Sequence, residues 1–178
     1  SYNQKEDTTS GDKAKLDVAW YRTMGIPIEH WTKQSAIDFS VRWEDWKQQC
    51  GYSDFTDLIE DAYTDCKTAP GDPAVILVDE AQDTGGLEMK LLMKWAESAE
   101  HLVLFGDSAQ AVFGWRGSDA LLLQKLWLEH DKERPALRQS FRLSRAVYEY
   151  TYGWARDRFE ETMALQFLPR DCEGSVER

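Results

Sequence analysis

Apolar positions recur along this chain with one period in its first part and another later on. Up to about residue 66 they return every three or four positions, which is typical of amphipathic helices. This spacing predicts helices over residues 13–24, 34–49 and 53–66. The third has the most regular apolar stripe, and Ser53 or Asp54 can cap its start. We therefore expect an all-helical first segment.

The pattern changes after a Pro-Gly-Asp-Pro break at residues 70–73. The unbroken apolar run at residues 75–78 is typical of a strand buried on both faces of a parallel sheet. A helix is predicted over residues 87–99, with Leu87, Leu91, Leu92 and Trp95 on its buried side, and a second apolar run follows at residues 102–105. Strand, helix and strand over about 30 residues form a βαβ unit with parallel strands.

Both predicted strands end in acids. Asp79 and Glu80 directly follow the first strand, and Asp107 follows the second. Because the carboxyl ends of parallel strands meet at one edge of the sheet, we expect these acids to lie together. One carboxylate of the Asp79-Glu80 pair can hold Mg²⁺, usually through water, while the other orients or deprotonates an attacking water. A single strand that ends in a solvated acidic turn is the plain alternative, and the second acid-tipped strand favours a site.

The residues after Asp107 combine a lone Gln110 with two aromatics and an arginine. Phe113 and Trp115 lie on a predicted loop above the sheet edge, where aromatic rings can stack on bases or simply anchor the loop in the core. Arg116 follows them. Farther along, Arg142 lies between a predicted short strand and a helix capped by Ser144, and a guanidinium at such a junction can reach a phosphate.

Composition and charge narrow the possible classes. A hydrophobic content of 42% and a charged content of 30% indicate a globular chain. The net charge of -11 argues against a general nucleic-acid-coating surface, although a local basic groove stays possible. Three scattered cysteines suit a reducing, cytoplasmic compartment better than a disulfide framework. No apolar run approaches the length of a membrane span, so we expect no membrane association.

Three stretches, in order, resemble motifs of the UvrD/Rep-like superfamily I DNA helicases. Residues 78–83 (VDEAQD) resemble the Walker B motif, residues 106–117 the third motif and residues 137–143 the fourth. Residues 54–59 also resemble the helix that precedes Walker B in this family. The resemblance implies an α/β fold with a partial RecA-like (P-loop NTPase) parallel sheet after an N-terminal all-helical segment.

The resemblance also implies a division into three parts. Residues 1–70 would belong to the inserted helical subdomain and the helix before Walker B. Residues 71–140 would form the RecA-like core with Walker B and the third motif, and residues 141–178 would begin the second motor domain. We interpret the chain as an internal segment of a longer helicase that acts on single-stranded DNA and duplex junctions.

Cofactors and site residues follow from the same resemblance, which implies ATP and Mg²⁺. Asp79 would help to hold the metal together with Glu80, and Glu80 would activate the water that attacks the γ-phosphate. Gln110 would sense that phosphate. The implied nucleotide-binding side chains come from the first two motifs: Asp79, Glu80, Gln82, Asp83, Asp107 and Gln110.

On the DNA side, Phe113 and Trp115 would stack on single-stranded bases and Arg116 would brace their loop. Arg142 would be the arginine finger of the second motor domain. Two departures qualify these roles: Phe113 replaces the usual tyrosine, and Ser140-Phe141 replaces Asn-Tyr before Arg142.

The sequence contains no Gly-x-x-x-x-Gly-Lys-Ser/Thr phosphate loop, so we expect little ATP hydrolysis from this chain by itself. Two other readings stay open at this point. One is a non-catalytic DNA- or protein-binding module that keeps the helicase fold. The other is a metal-dependent nuclease that uses Asp79, Glu80 and Asp107, although such sites need several carboxylates around the metal.

Overall fold

The structure is a computed structural model that describes residues 9–112, 114, 118, 123, 125–126, 129, 137–157 and 167–176. The chain divides into two compact units, Ser1–Gln124 and Lys125–Arg178, and each is described by itself. Helices and a small parallel sheet make up the described residues, which agrees with the predicted α/β class. The assignment of residues 1–70, 71–140 and 141–178 to family subdomains stays a prediction.

Three helices open the first unit: α1 over Ser10–Thr23, α2 over Gln34–Cys50 and α3 over Phe55–Asp65. A 3₁₀ turn over Ile28–His30 lies between the first two. Asp54 caps α3, and its capping box is completed by the side chain of Asp57. The three predicted helices are therefore confirmed, with ends that differ from the prediction by at most three residues.

The core of the helical part lies between α1 and the start of α2. It contains Val18, Tyr21, Trp31 and Ala36, all of them buried. The rings of Tyr21 and Trp31 stack with centroids 4.8 Å apart and planes 11° from parallel. This small core fixes α1 against α2.

The apolar stripe of α3 is largely open to solvent, because none of the α3 side chains is buried and only Ile59 and Ala62 of that stripe are half-buried. Phe55 is 87% exposed and Leu58 is 57% exposed. Instead, α3 is attached to α1 and α2 by a group of charged side chains, named here the α3 charge cluster. Its members are Arg22, Glu44, Lys47, Asp54, Asp57 and Glu60. Charge pairing therefore links α3 to the two helices that precede it.

The βαβ unit follows as β1 over Val75–Val78, α4 over Gly86–Ala96 and β2 over His101–Leu104. The strands are parallel, with Val75 opposite His101 and Val78 opposite Leu104. The predicted parallel unit is thus confirmed. Of the four residues expected on the buried side of α4, Leu87 and Leu91 are buried, whereas Leu92 and Trp95 are only half-buried.

Burial of β1 on both faces is wrong for the described residues. Val75 is 46% exposed and Leu77 is 66% exposed, whereas Ile76 and Val78 are half-buried. Successive side chains point to opposite faces of a strand, so Val75 and Leu77 share the open face. An apolar run by itself does not reveal whether a second layer covers that face.

In the second unit, α5 spans Arg145–Arg156 and follows Ser144, whose side chain makes no capping hydrogen bond. The short strand expected near residues 137–143 is reduced to one parallel bridge between Gln139 and Leu168. No helix among the described residues of either unit combines the length and hydropathy needed to cross a lipid bilayer.

Candidate functional site

The turn after β1 presents two carboxylates to solvent. The backbone N–H of Glu80 donates to Oδ1 of Asp79 at 2.9 Å, and both side chains are exposed. Glu80 has a φ of 50° and a ψ of 38°, in the left-handed region that few residues other than glycine adopt. Such a backbone costs about 1–2 kcal/mol. We call Asp79 and Glu80 the strand-end acids.

The turn after β2 lies directly against the turn after β1. The N–H of Phe105 donates to the carbonyl of Val78 at 2.8 Å, and the N–H of Ala81 donates to the carbonyl of Phe105 at 2.8 Å. Backbone pairing therefore continues past the last residues of both strands. The prediction that the two acid-tipped strand ends meet at one edge is confirmed.

A buried glutamine joins these two turns. Gln82 is 2% exposed, and its Nε2 donates to Oε2 of Glu80 at 2.7 Å. Its Oε1 accepts from the backbone N–H of Asp107 at 2.9 Å. A backbone N–H can only donate and a carboxylate can only accept, so these partners fix the orientation of the amide. Gln82 therefore connects the first candidate motif to the second.

Gly106 makes this connection sterically possible. A Cβ at Gly106 would lie 2.6 Å from Oε1 of Gln82 and 2.7 Å from Cδ1 of Leu123, which is too close for either contact. On the far side of the turn, Nε2 of Gln110 donates to Oδ2 of Asp107 at 2.8 Å. Side chains from both strand ends thus form one connected polar edge.

Asp83 continues this edge into a groove of about 310 Å³, which is also lined by Thr23, Ile59 and Glu88. Its Oδ1 is buried and has no hydrogen-bond partner among the described residues. Nε2 of Gln82 lies 3.5 Å from Oδ2 of the same carboxylate. Buried polar atoms in proteins are usually paired, so Oδ1 of Asp83 can accept one further hydrogen bond.

The strand-end acids fit a magnesium ion that also binds phosphate. Among the described residues, no group of three or more His, Cys, Asp or Glu side chains could enclose a metal. Mg²⁺ bound with nucleotides takes one or two carboxylates, several waters and the phosphates themselves. The carboxylates of Asp79 and Glu80 can supply that protein share, whereas the described residues give no support to a nuclease site with several metal ligands.

Several predicted site residues cannot be placed beside this edge. Phe113, Trp115 and Arg116 lie outside the described residues. Arg142 is in the second unit, where its side chain is exposed and its backbone N–H donates to Oγ of Ser140 at 3.3 Å. Their predicted roles in DNA stacking and in transition-state stabilisation stay predictions.

Sequence reasoning did not find the link through Gln82 or the left-handed backbone of Glu80. A glutamine two residues beyond an acid-tipped strand was a usable signal, since an amide can satisfy a carboxylate and a backbone N–H at once. The backbone conformation of Glu80 had no signal in the residue type, because glutamate is rare there.

The family model that describes the UvrD/REP helicase N-terminal domain matches residues 4–131. The chain belongs to this family. The resemblance drawn from the motifs is thereby confirmed, and the strand-end acids and the Gln82 link lie within the matched UvrD/REP residues.

Curated relatives of the UvrD/REP segment are DNA helicases. DNA helicase II of Haemophilus influenzae is 34% identical over 67 residues, which are 38% of this chain and 9% of the relative. A probable DNA helicase II homolog of Mycoplasma pneumoniae is 31% identical over 104 residues, 53% of this chain and 14% of the relative. ATP-dependent DNA helicase PcrA of Staphylococcus aureus is 34% identical over 77 residues, which are 40% of this chain and 10% of the relative. The matches thus span about a tenth of the relatives' length.

Proposed function

We propose that this chain is part of an ATP-dependent DNA helicase and forms the hydrolytic side of its nucleotide site. One observation carries the proposal: the strand-end acids lie at the carboxyl edge of a parallel strand pair, joined through Gln82 to the turn that bears Asp107 and Gln110. Open α/β sheets bind their ligands at this edge. The fold around it would be RecA-like, as the family implies.

Each polar side chain at the edge has a separate proposed role. Asp79 helps to hold the Mg²⁺ of Mg-ATP, which would neutralise charge on the phosphates. Glu80 orients and deprotonates the attacking water, since its carboxylate is exposed and fixed by one hydrogen bond. Gln110, whose Nε2 donates to Oδ2 of Asp107 at 2.8 Å, senses the γ-phosphate, and Asp107 belongs to the nucleotide-binding residues.

The DNA side of the proposal rests on residues that follow this edge in the chain. Phe113 and Trp115 would stack on bases of single-stranded DNA, with Arg116 bracing the loop. Arg142 would provide the guanidinium that stabilises charge in the transition state. Coupling of hydrolysis to movement along single-stranded DNA or at duplex junctions is part of the same proposal.

The substitution Glu80→Gln in an intact helicase carrying this segment tests the proposal. Removal of the general base should abolish DNA-stimulated ATP hydrolysis, a loss of about 10²-fold or more, while ATP binding persists. Glu100→Gln is the matched control, because Glu100 is an exposed glutamate that precedes the opposite end of β2. Turnover near the wild-type rate in Glu80→Gln contradicts the proposal.

For this chain by itself we expect little or no ATP hydrolysis, because its 178 residues contain no phosphate-loop sequence to cradle the phosphates. The measurement is phosphate release by the purified chain with Mg-ATP, with and without single-stranded DNA. Robust release that Glu80→Gln abolishes would show that another part of the chain holds the nucleotide.

A non-catalytic DNA- or protein-binding module is the second candidate. The same lack of a phosphate-loop sequence, together with a net charge of -11, favours it. An intact protein that binds its partner normally with both strand-end acids neutralised, and that never hydrolyses ATP, would establish this candidate over the helicase.

A further inference from the structure

The amide of Gln82 is occupied at both ends by the protein itself. Its nitrogen faces the Glu80 carboxylate at 2.7 Å, and its oxygen faces the Asp107 N–H at 2.9 Å. The side chain is also 2% exposed. A group that is buried and engaged in this way has little capacity left to contact a nucleotide. Gln82 therefore acts on the predicted nucleotide site through its protein partners and not as a direct ligand of the nucleotide.

We propose that Gln82 is a positioning residue that orients the Glu80 carboxylate and ties it to the turn after β2. The inference rests on the proposed function, in which Glu80 activates water. An exposed glutamate side chain samples many rotamers, and ordering one such side chain costs free energy. A hydrogen bond from an immobile buried donor to one carboxylate oxygen offsets that cost, and it leaves the other oxygen for the water.

The link also makes the two turns move together. Oε1 of Gln82 is fixed by the backbone of Asp107, and Gly106 allows that backbone to approach. The side chain of Asp107 in turn accepts from Gln110. A displacement of the Asp107 amide changes the position of the Gln82 amide, and with it the orientation of the Glu80 carboxylate. A movement of Gln110 thereby changes the orientation of the Glu80 carboxylate, although the two side chains need not touch.

Amide hydrogen exchange of this chain tests the geometry, with no ATP needed. In Gln82→Met, which keeps the length of the side chain and removes both hydrogen bonds, the Asp107 amide should exchange about five-fold faster or more. The amides of Phe105 and Ala81 are internal controls, since each bonds to a backbone carbonyl instead. Their rates should not change. An Asp107 rate equal to that of the wild type overturns the inference.

A second variant covers the case in which Gln82→Met unfolds the edge and all three amides exchange faster. Gln82→Glu keeps an acceptor for the Asp107 N–H, so the Asp107 amide should stay protected. The same substitution removes the donor to Glu80 and places a like charge there. Loss of protection in this variant as well would overturn the inference. Gln49→Met, an exposed glutamine of α2 changed in the same way, should leave all three rates unaltered.

Kinetics of an intact helicase carrying this segment test the role. Loss of a hydrogen bond to a charged group should lower kcat by about ten-fold to a hundred-fold in Gln82→Met, with the KM for ATP unchanged. A higher KM with unchanged kcat would identify Gln82 as a nucleotide ligand and overturn the inference. A wild-type protein without any ATP hydrolysis would overturn the proposed function, and the exchange rates would then decide the inference independently.

Discussion

The first unit contains two groups of acids whose surroundings are opposite. In the α3 charge cluster, Asp57 pairs with Arg22 at 2.6 Å and with Lys47 at 2.6 Å. Both cations are buried, with side chains 9% and 4% exposed. At the sheet edge, the strand-end acids are exposed and form no ion pair with a lysine or arginine among the described residues. One group of acids is paired with buried cations inside the fold, and the other is left for an external cation.

This difference separates acids that hold the structure from acids that can hold a ligand. Removal of a buried cation from a group of paired acids leaves charge without compensation, and this lowers the free energy of unfolding. A change in an exposed acid that has no cation partner costs little, unless a ligand needs it. Stability measurements on the chain without nucleotide can therefore assign each acid to one group or the other.

The largest expected effect is that of Arg22→Met. Arg22 pairs with Asp54, Asp57 and Glu60 at 2.8, 2.6 and 2.7 Å. Its loss leaves Asp54 and Asp57 paired only with Lys47, and leaves Glu60 with no cation partner among the described residues. Because these acids are partly exposed, we expect about 3 kcal/mol of lost unfolding free energy, at the low end for a broken buried pair.

Urea unfolding at low ionic strength measures this loss. The matched control is Arg42→Met, because Arg42 is an exposed arginine of the same unit, on α2. It should change the unfolding free energy by less than about 0.5 kcal/mol. Equal effects of the two substitutions would remove the distinction between acids that are paired with cations and acids that are not.

The second largest expected loss of stability concerns the sheet edge, where the side chains around Gly106 leave no room for a Cβ. Gly106→Ala would place a Cβ 2.6 Å from Oε1 of Gln82 and 2.7 Å from Leu123. Overpacking of this kind costs about 1–3 kcal/mol. Gly114→Ala is the control, since a Cβ there meets no atom of the described residues within 4 Å. Thermal unfolding of both variants compares them, and a Gly106→Ala variant as stable as Gly114→Ala would mean that the Gln82 link is loose.

The sequence predicted the parallel unit and its acid-tipped edge because a strand, its helix and the next strand are close in the chain. The βαβ pattern is local, and parallel pairing follows from its handedness. The α3 charge cluster was not predictable in the same way, because Arg22 meets Asp57 from 35 positions away in the sequence. An apolar period on α3 indicated a helix correctly, but periodicity does not reveal whether charge or packing attaches that helix.

The third expected effect is a pH dependence of the unfolding free energy that arises from the α3 charge cluster. Burial tends to raise the pKa of Asp54, but the N–H of Asp57, the indole of Trp43 and Lys47 outweigh it and lower that pKa below its usual range. The pKa of Asp57 is lowered in the same direction. A carboxyl whose pKa is lower in the folded state stabilises the fold above its unfolded pKa, and this contribution is lost as the pH falls.

We therefore expect the unfolding free energy to fall as the pH decreases below about 4, where unfolded aspartates take up protons. Asp54→Asn should remove about 1 kcal/mol of that dependence, a modest figure because its side chain is 29% exposed. Asp45→Asn, an exposed acid of α2, should keep the wild-type slope. Urea unfolding at a series of pH values compares the three proteins, and identical slopes in all of them would contradict the pairing.

The smallest change in stability is expected for Glu80→Gln, at the residue with the proposed role in catalysis. Glu80→Gln keeps an oxygen for the Gln82 amide at 2.7 Å and removes a charge that has no cation partner among the described residues. The unfolding free energy should therefore change by less than about 0.5 kcal/mol. Asp57→Asn, at the centre of the α3 charge cluster, is the contrasting variant and should cost more. If Glu80→Gln destabilised the chain as much as Asp57→Asn does, Glu80 would be a structural acid, and its exposure at the sheet edge would no longer mark a ligand site.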